Sequence, residues 1–261
     1  MIPKIIHYVW VGPKPISENI LKCIKSWQKI MPDYKIQLWN ESNFEINSYT
    51  FTKKAYHKKK YAYVADYIRL WVLFQQGGIY LDTDMYVLKR LDDLLNYNLV
   101  LGKEDTEYIS AGMIAANQNN LYIQKLLDYY NQHTEILEPI PKIMTRVFQE
   151  YSNRLNSNQN NIQINSIFDQ LDQVNKMSQV DKIKILESKY FYPYNSDNIK
   201  IFLQNGWTGA PQESYAVHLW DYSWGHPLNK FIKKIGLHKN LKRITEKLGI
   251  KNQIKKILKM E

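Results

Sequence analysis

From Tyr61 to Leu88 the chain reads YAYVADYIRLWVLFQQGGIYLDTDMYVL. Tyr63, Tyr67, Leu70, Trp71 and Phe74 recur at helical spacing and Gly77-Gly78 can terminate a helix, so the spacing predicts a helix from about Tyr61 to Gln75. A short apolar strand, Ile79-Tyr80-Leu81, follows and runs directly into Asp82-Thr83-Asp84, after which Met85 to Leu88 is apolar again. Two carboxylates therefore sit at a strand end. Upstream, Ile2 to Val11 is rich in Ile, Val, Tyr and Trp and stops at Gly12-Pro13, which reads as a buried first strand. Ser17 can cap a helix carrying Ile20, Leu21, Ile24, Trp27 and Ile30, Pro32 ends it, and Tyr34 to Trp39 forms a second strand. A β-α-β opening of this kind favours a parallel sheet covered by helices, hence an α/β fold. Downstream, strands are expected at Leu99 to Leu101 and Tyr108 to Ala116, and helices near Leu121 to Leu137 and Lys142 to Tyr151. Residues 152 to 180, rich in Asn, Gln and Ser, read as a loose polar excursion. Ile183 to Leu186, Tyr190 to Tyr194 and Tyr215 to Leu219 read as short strands completing the core, and no internal repeat is present.

The 261 residues, 44% hydrophobic and 23% charged, suit one main globular domain. No window reaches the roughly 18 uncharged apolar residues that cross a bilayer, and MIPKIIHYVWVG is too short an apolar run for a signal peptide. A cytoplasmic protein, peripheral at a membrane or free, is the expectation. The single cysteine, Cys23, excludes an internal disulfide framework and a multi-cysteine zinc site, so a bound metal must use Asp, Glu or His. Charge is unevenly distributed. Residues 229 to 261 hold eleven Lys or Arg against Glu246 and Glu261, a balance of 11 − 2 = +9 out of the formal +10. The body, 1 to 228, is nearly neutral and the tail is a polycation.

A turn at the end of a strand lets both Asp82 and Asp84 approach one hard divalent cation, which can offset the charge that develops on a diphosphate as a sugar–phosphate bond breaks. Gly77-Gly78 just upstream removes side chains where a ligand could approach the backbone. Asp66 and Arg69, spaced i, i+3, share one side of the preceding helix. They read either as an intrahelical ion pair or as groups facing sugar hydroxyls and phosphate.

Tyr63-Val64-Ala65-Asp66-Tyr67-Ile68-Arg69, Leu73, Gly77-Gly78, Tyr80 and Asp82-Thr83-Asp84 carry a resemblance, together with Ile2-Pro3-Lys4-Ile5-Ile6-His7-Tyr8-Val9-Trp10 and His218-Leu219-Trp220-Asp221-Tyr222-Ser223-Trp224. The chain resembles glycosyltransferase family 32, the capsular-polysaccharide type of sugar transferase with an Asp-X-Asp motif, and more distantly the catalytic domains of the large clostridial glucosylating toxins. The resemblance covers roughly residues 1 to 225. It implies a GT-A fold, a Rossmann-like nucleotide-sugar-binding domain over 1–228, and a metal-dependent hexosyltransferase that retains the donor's anomeric configuration. The implied cofactor is Mn²⁺ or Mg²⁺ and the implied donor a nucleotide sugar, read here as UDP-linked. The implied roles are stacking on the nucleobase for Trp10 and holding the donor sugar for Asp66 and Arg69. Asp82 contacts ribose, sugar or metal-bound water. Asp84 ligates the metal directly, His218 adds a second ligand, and Ser223 and Trp224 close over the diphosphate. Retention requires either a covalent intermediate on an enzyme nucleophile or front-face attack, and front-face attack is favoured, with Mn²⁺, Arg69 and the Ser223-Trp224 loop stabilising the leaving diphosphate. Two departures from the family pattern stand out. Ala65 replaces a frequent Ser, and Ile140 replaces a Gly in a segment ending at Thr145.

The tail alternates Lys and Arg with Phe231, Ile232, Ile235, Leu241, Ile244, Leu248, Ile254, Ile257 and Leu258. A basic amphipathic helix of this composition suits an anionic membrane surface rather than nucleic acid. That places the expected acceptor on a lipid-linked oligosaccharide at the cytoplasmic face, in capsular or exopolysaccharide synthesis. Lys53, Lys54, Lys58, Lys59 and Lys60 form a second basic cluster. Two alternatives remain from the residues themselves: a haloacid-dehalogenase-type phosphohydrolase, whose Asp-X-Asp also ends a strand, and a basic membrane- or nucleic-acid-binding protein with a vestigial site.

Overall fold

The computed structural model describes residues 1–135, 138–157 and 182–221. Its centre is a six-stranded sheet in the order β2-β1-β3-β6-β5-β7. The strands are β1 (Ile5–Val9), β2 (Lys35–Trp39), β3 (Gly78–Leu81), β5 (Leu99–Lys103), β6 (Ile109–Ala116) and β7 (Ile183–Leu186). β1 pairs in parallel with β2 and β3, as the β-α-β opening requires. β6 is antiparallel to both its neighbours, β3 and β5, while β7 runs parallel to β5. The sheet is thus mixed, flanked by helices, and is the GT-A arrangement that the resemblance implies. A second, two-stranded sheet joins β4 (Met85–Val87) to β8 (Ala216–His218). The strand expected at Tyr215 to Leu219 is present as β8, in this second sheet rather than in the central one.

The helices are α1 (Glu18–Ile30), α2 (Thr50–His57), α3 (Tyr61–Gln76), α4 (Leu121–Gln132), α5 (Ile140–Ser157) and α6 (Ile199–Gln204). Ser17 caps α1, its hydroxyl accepting from the Ile20 amide. Ile20, Cys23, Ile24 and Trp27 are buried, whereas Leu21 is 45% exposed and does not belong to the inward stripe. α1 also fastens β4. The Trp27 indole donates to the Met85 carbonyl at 2.6 Å, and the Val87 amide donates to the Ser26 hydroxyl at 2.9 Å. α3 is buried along most of its circumference, with Val64 through Leu70, Val72 and Leu73 all inside. It packs against β1 and β3 on one side and against α2 and α4 on others, which explains why its apolar residues exceed a single face.

Gly77 and Gly78 serve packing rather than ligand access, which corrects the sequence reading. Gly77 ends α3 at φ 64° and Gly78 sits at φ 106°, both in the region that favours glycine. A Cβ on Gly78 would lie 2.7 Å from the Ile5 carbonyl oxygen and 3.0 Å from His7 Nε2, so neighbouring strand β1 occupies that space. His7 itself is fully buried, with Nε2 2.9 Å from the Gly77 carbonyl and Nδ1 accepting from the Trp39 indole at 3.1 Å. This pairing makes the ring a neutral Nε2–H tautomer.

Tyr190 to Tyr194 forms no strand. A 3₁₀ turn over Ser188–Tyr190 takes its place, leaving the following aromatic residues free to pack as individual rings. α5 extends to Ser157, into the stretch expected to be loose, and α4 ends at Gln132, before the expected Leu137. The rest of the polar excursion, and the basic tail, lie outside the described residues. Met1–Trp220 forms one compact unit, and the boundary that charge places at 228/229 also falls outside the description. Among the described residues, no helix is long and apolar enough to cross a membrane.

Candidate active site

Asp82, Thr83 and Asp84 form the turn between β3 and β4, closed by the Met85 amide donating to the Asp82 carbonyl at 3.0 Å. β3 is buried at every position, so its end delivers Asp82 and Asp84 to the sheet edge on a rigid support. His218, distant in sequence, arrives through the β4–β8 pairing. Met85 is directly opposite His218, and the Leu219 amide donates to the Asp84 carbonyl at 3.0 Å. One ligand atom from each of Asp82, Asp84 and His218 lies within 4.8 Å of the others. That span is close to the roughly 4 Å that separates opposite ligands of one hard divalent ion.

Arg69 organises the carboxylates from below. Its Nη2 pairs with Asp66 Oδ1 at 2.8 Å, and Nη1 reaches Asp82 Oδ1 at 3.3 Å and the Ala111 carbonyl at 2.7 Å. The guanidinium carbon sits 4.6 Å from the Tyr80 ring centre, and the Tyr80 hydroxyl donates to the same Asp82 oxygen at 3.0 Å. Asp82 Oδ1 is thus held twice. Its Oδ2 is beside Gly112, where a Cβ would come within 3.1 Å.

β6 makes this possible by an irregularity. Its register with β5 shifts between Leu101 and Gly102, so Ala111, Gly112 and Met113 have no partner on β5. The Ala111 carbonyl is thereby available to Arg69, and the Gly112 carbonyl accepts from the Asp82 amide at 2.8 Å.

The electrostatics follow from two carboxylates, Asp66 and Asp82, around one guanidinium, and from Asp84 beside His218. Burial pushes the Asp66 carboxyl up, to about 7, against the pull of Arg69, with the Asp82 charge adding to the rise. For Arg69 burial opposes the charge, but Asp82, Tyr80 and Asp66 outweigh it and the guanidinium stays protonated. Burial likewise disfavours a charged His218, yet Asp84, whose Oδ1 is 3.2 Å from Nε2, together with Asp82 and Glu104, raises its pKa. The ring is wedged against Tyr192 and Trp220, with centroids 5.5 and 4.4 Å away, and its buried Nδ1 has no hydrogen-bond partner among the described residues. A ring held by packing, beside two carboxylates, is a donor set that fits Mn²⁺, and less well Mg²⁺, which favours oxygen alone.

The structure brings Asp66, Arg69, Asp82, Asp84 and His218 into one cluster. Trp10 follows β1 and is buried to 9% exposure, with its indole donating to the Lys14 carbonyl at 2.7 Å. Ser223 and Trp224 lie outside the described residues. The Thr145 hydroxyl accepts from the Ile109 amide at 2.9 Å and so fastens α5 to β6. Tyr192, Gly112 and Glu104 escaped the sequence reading. For Gly112 a signal existed: a glycine inside the apolar run Ile109 to Ala116 marks a close approach. Glu104, in a polar turn, had none.

The family described as "glycosyltransferase sugar-binding region containing DXD motif" matches residues 17–101. An alpha 1,4-glycosyltransferase conserved region matches residues 119–235. A glycosyltransferase from Acanthamoeba polyphaga mimivirus, L373, is 30% identical over 211 residues, covering 77% of this chain and 76% of its own length. The chain belongs to the DXD-motif glycosyltransferases. Inositol phosphoceramide mannosyltransferase 3 of Schizosaccharomyces pombe is 36% identical over 100 residues, 37% of this chain and 28% of that protein. Apart from the viral glycosyltransferase, the chain therefore spans well under half the length of the first relatives it matches. Among solved structures, the PaToxG glycosyltransferase is similar with a TM-score of 0.46 and 22% identity, over 60% of this chain and 72% of that one. Membership of this glycosyltransferase family sets aside the phosphohydrolase alternative, and Asp82 follows β3 rather than the first strand.

Proposed function

We propose that this glycosyltransferase transfers a hexose from a UDP-linked donor to a saccharide acceptor with retention of anomeric configuration, using Mn²⁺ held by Asp84 and His218, with Asp82 contributing directly or through water. The observation that carries this reading is the convergence of Asp82, Asp84 and His218 within 4.8 Å at the end of β3. The cation supplies positive charge to the diphosphate as the sugar–phosphate bond breaks. Arg69 fixes the Asp82 carboxylate and adds a permanent positive charge behind it. His218 would hold the metal through a neutral imidazole nitrogen, giving up the proton that its carboxylate neighbours favour. In front-face attack the acceptor hydroxyl bonds to the anomeric carbon as the bond to phosphate breaks, and its proton passes to the departing phosphate oxygen. Trp10, Asp66, Ser223 and Trp224 complete the donor site in this reading.

The fission-yeast relative's name, an inositol phosphoceramide mannosyltransferase, supports an acceptor carried on a lipid. The +9 charge of residues 229 to 261 supports docking of that segment on an anionic membrane surface, with the enzyme peripheral at the cytoplasmic face and acting in capsular or exopolysaccharide synthesis. A thermal-shift screen of UDP- and GDP-sugars with Mn²⁺ tests the donor reading, since a ligand of the native state raises apparent stability. Stabilisation by a UDP-sugar only with Mn²⁺ is expected. Stabilisation by no UDP-sugar at any Mn²⁺ concentration contradicts it.

A further inference from the structure

A pocket of about 550 Å³ opens between the β5–β6 turn and the segment after β7, within the roughly 300–1,000 Å³ of small-molecule sites. Glu104, Asp105 and Thr106 line one wall, Glu187, Tyr192 and Asn198 the other. Tyr192 links the pocket to the aspartate cluster. Its hydroxyl and Asp82 Oδ2 converge on Gly112, where a Cβ would lie 2.8 Å from the first and 3.1 Å from the second. That hydroxyl is buried, beside Ser110 and the Met113 backbone of β6. Glu104 is close enough to Asp82 and His218 to feel both charges, and its carboxylate has no ion-pair partner among the described residues.

Three features select a ligand class. Carboxylates, an amide and hydroxyls offer the paired donors and acceptors that vicinal sugar hydroxyls need. The volume admits a sugar ring, and Tyr192, which lines the pocket, reaches with its hydroxyl to the same Gly112 position as Asp82 at the end of β3, where the donor is expected. The charged side chains among the described lining residues are Glu104, Asp105 and Glu187 against Lys103, which pairs with Glu187 at 2.6 Å, so the lining charge is negative. A carboxylated or phosphorylated sugar placed there meets like charge.

We infer that this pocket is the acceptor subsite of the proposed transfer reaction and that it takes an uncharged pyranoside, with Glu104 at its inner end accepting a hydrogen bond from an acceptor hydroxyl. The inference rests on the glycosyltransferase site described above but assigns a different group of residues. Saturation-transfer NMR on the full chain with Mn²⁺ and UDP tests it, using the methyl glycosides of glucose, galactose and mannose and the methyl glycoside of glucuronic acid as probes. At least one neutral glycoside binds, and the glucuronide binds about tenfold more weakly or not at all. Thr106→Trp, at an exposed turn position, fills the mouth and abolishes neutral-glycoside binding. Glu104→Gln weakens it and narrows the gap to the glucuronide, which a merely structural role would not do. UDP binding, followed in the same samples, separates the two readings. If UDP fails to bind wild-type protein with Mn²⁺, the glycosyltransferase site itself is misassigned. If UDP binds but no neutral glycoside does, if the glucuronide binds equally well, or if Thr106→Trp still binds the neutral glycoside, the acceptor assignment alone falls.

Discussion

Gly112 shows how much of this site depends on an atom that is absent. Its missing Cβ leaves room for the Asp82 carboxylate and the Tyr192 hydroxyl, room that any residue carrying a Cβ would fill. Gly112→Ala is expected to retain the fold, because its β6 neighbours stay packed, while displacing Asp82 and lowering Mn²⁺-dependent donor turnover about tenfold to a hundredfold. Wild-type turnover in that variant would show that Asp82 tolerates displacement. Asp82 and Asp84 are legible in sequence because an acidic pair interrupts an apolar run at a strand end. His218 is legible only through the resemblance, since the β4–β8 pairing that delivers it links residues too far apart for any local pattern. Glu104 and Tyr192 are not legible, because a glutamate in a polar turn and a tyrosine in an aromatic stretch look like many others. Of the two readings of Asp66 and Arg69, the ion pair is formed, and the Arg69 Nη contacts that the structure shows are with Asp66, Asp82 and Ala111.

At the scale of elements, β1 and the end of α3 are locked by a buried histidine. His7 has its pKa lowered from 6.5 to about 4, chiefly by burial, although its bond to the Gly77 carbonyl opposes the shift. Below pH 6.5 the unfolded chain takes up a proton that the folded protein refuses until about pH 4, so stability present above 6.5 is lost as the pH falls through that window. The loss from this one group amounts to about 3 kcal/mol at its limit. Urea unfolding at several pH values should show His7→Gln less stable than wild type near neutrality but with a flatter acid dependence. Parallel curves for the two proteins would show that His7 does not set the slope. The first β-α-β unit and α3 are legible because their apolar periods are unambiguous. α2 escapes notice because Thr50-Phe51-Thr52-Lys53-Lys54-Ala55-Tyr56-His57 mixes β-branched, aromatic and basic residues without a clean helical stripe. The antiparallel direction of β6 cannot be read either, since a fully buried strand has the same composition in both directions.

For the whole molecule the separation of charge is the main feature, with +9 of +10 in residues 229 to 261 and every described member of the aspartate and histidine cluster upstream. Site and membrane contact are therefore expected to be separable. Removing 229 to 261 should leave Mn²⁺-dependent donor hydrolysis in place while abolishing binding to vesicles containing anionic lipid. Binding by the full chain should weaken as salt rises, because each basic residue near the surface contributes about 1 kcal/mol over a screening length of about 8 Å. Cosedimentation of both proteins with such vesicles decides the matter, and equal binding by the two would remove the membrane role from the tail.

The central claim is that Asp82, Asp84 and His218 together hold one divalent cation, and pulsed electron paramagnetic resonance of Mn²⁺ added to the full chain with UDP tests it most directly. Wild-type protein should give one bound Mn²⁺ with a nitrogen coupling from an imidazole ligand. His218→Ala should lose the nitrogen coupling while binding Mn²⁺ more weakly, and Asp84→Ala should lose the bound ion. Bound Mn²⁺ without nitrogen coupling in the wild type, or an unchanged coupling in His218→Ala, would contradict the account.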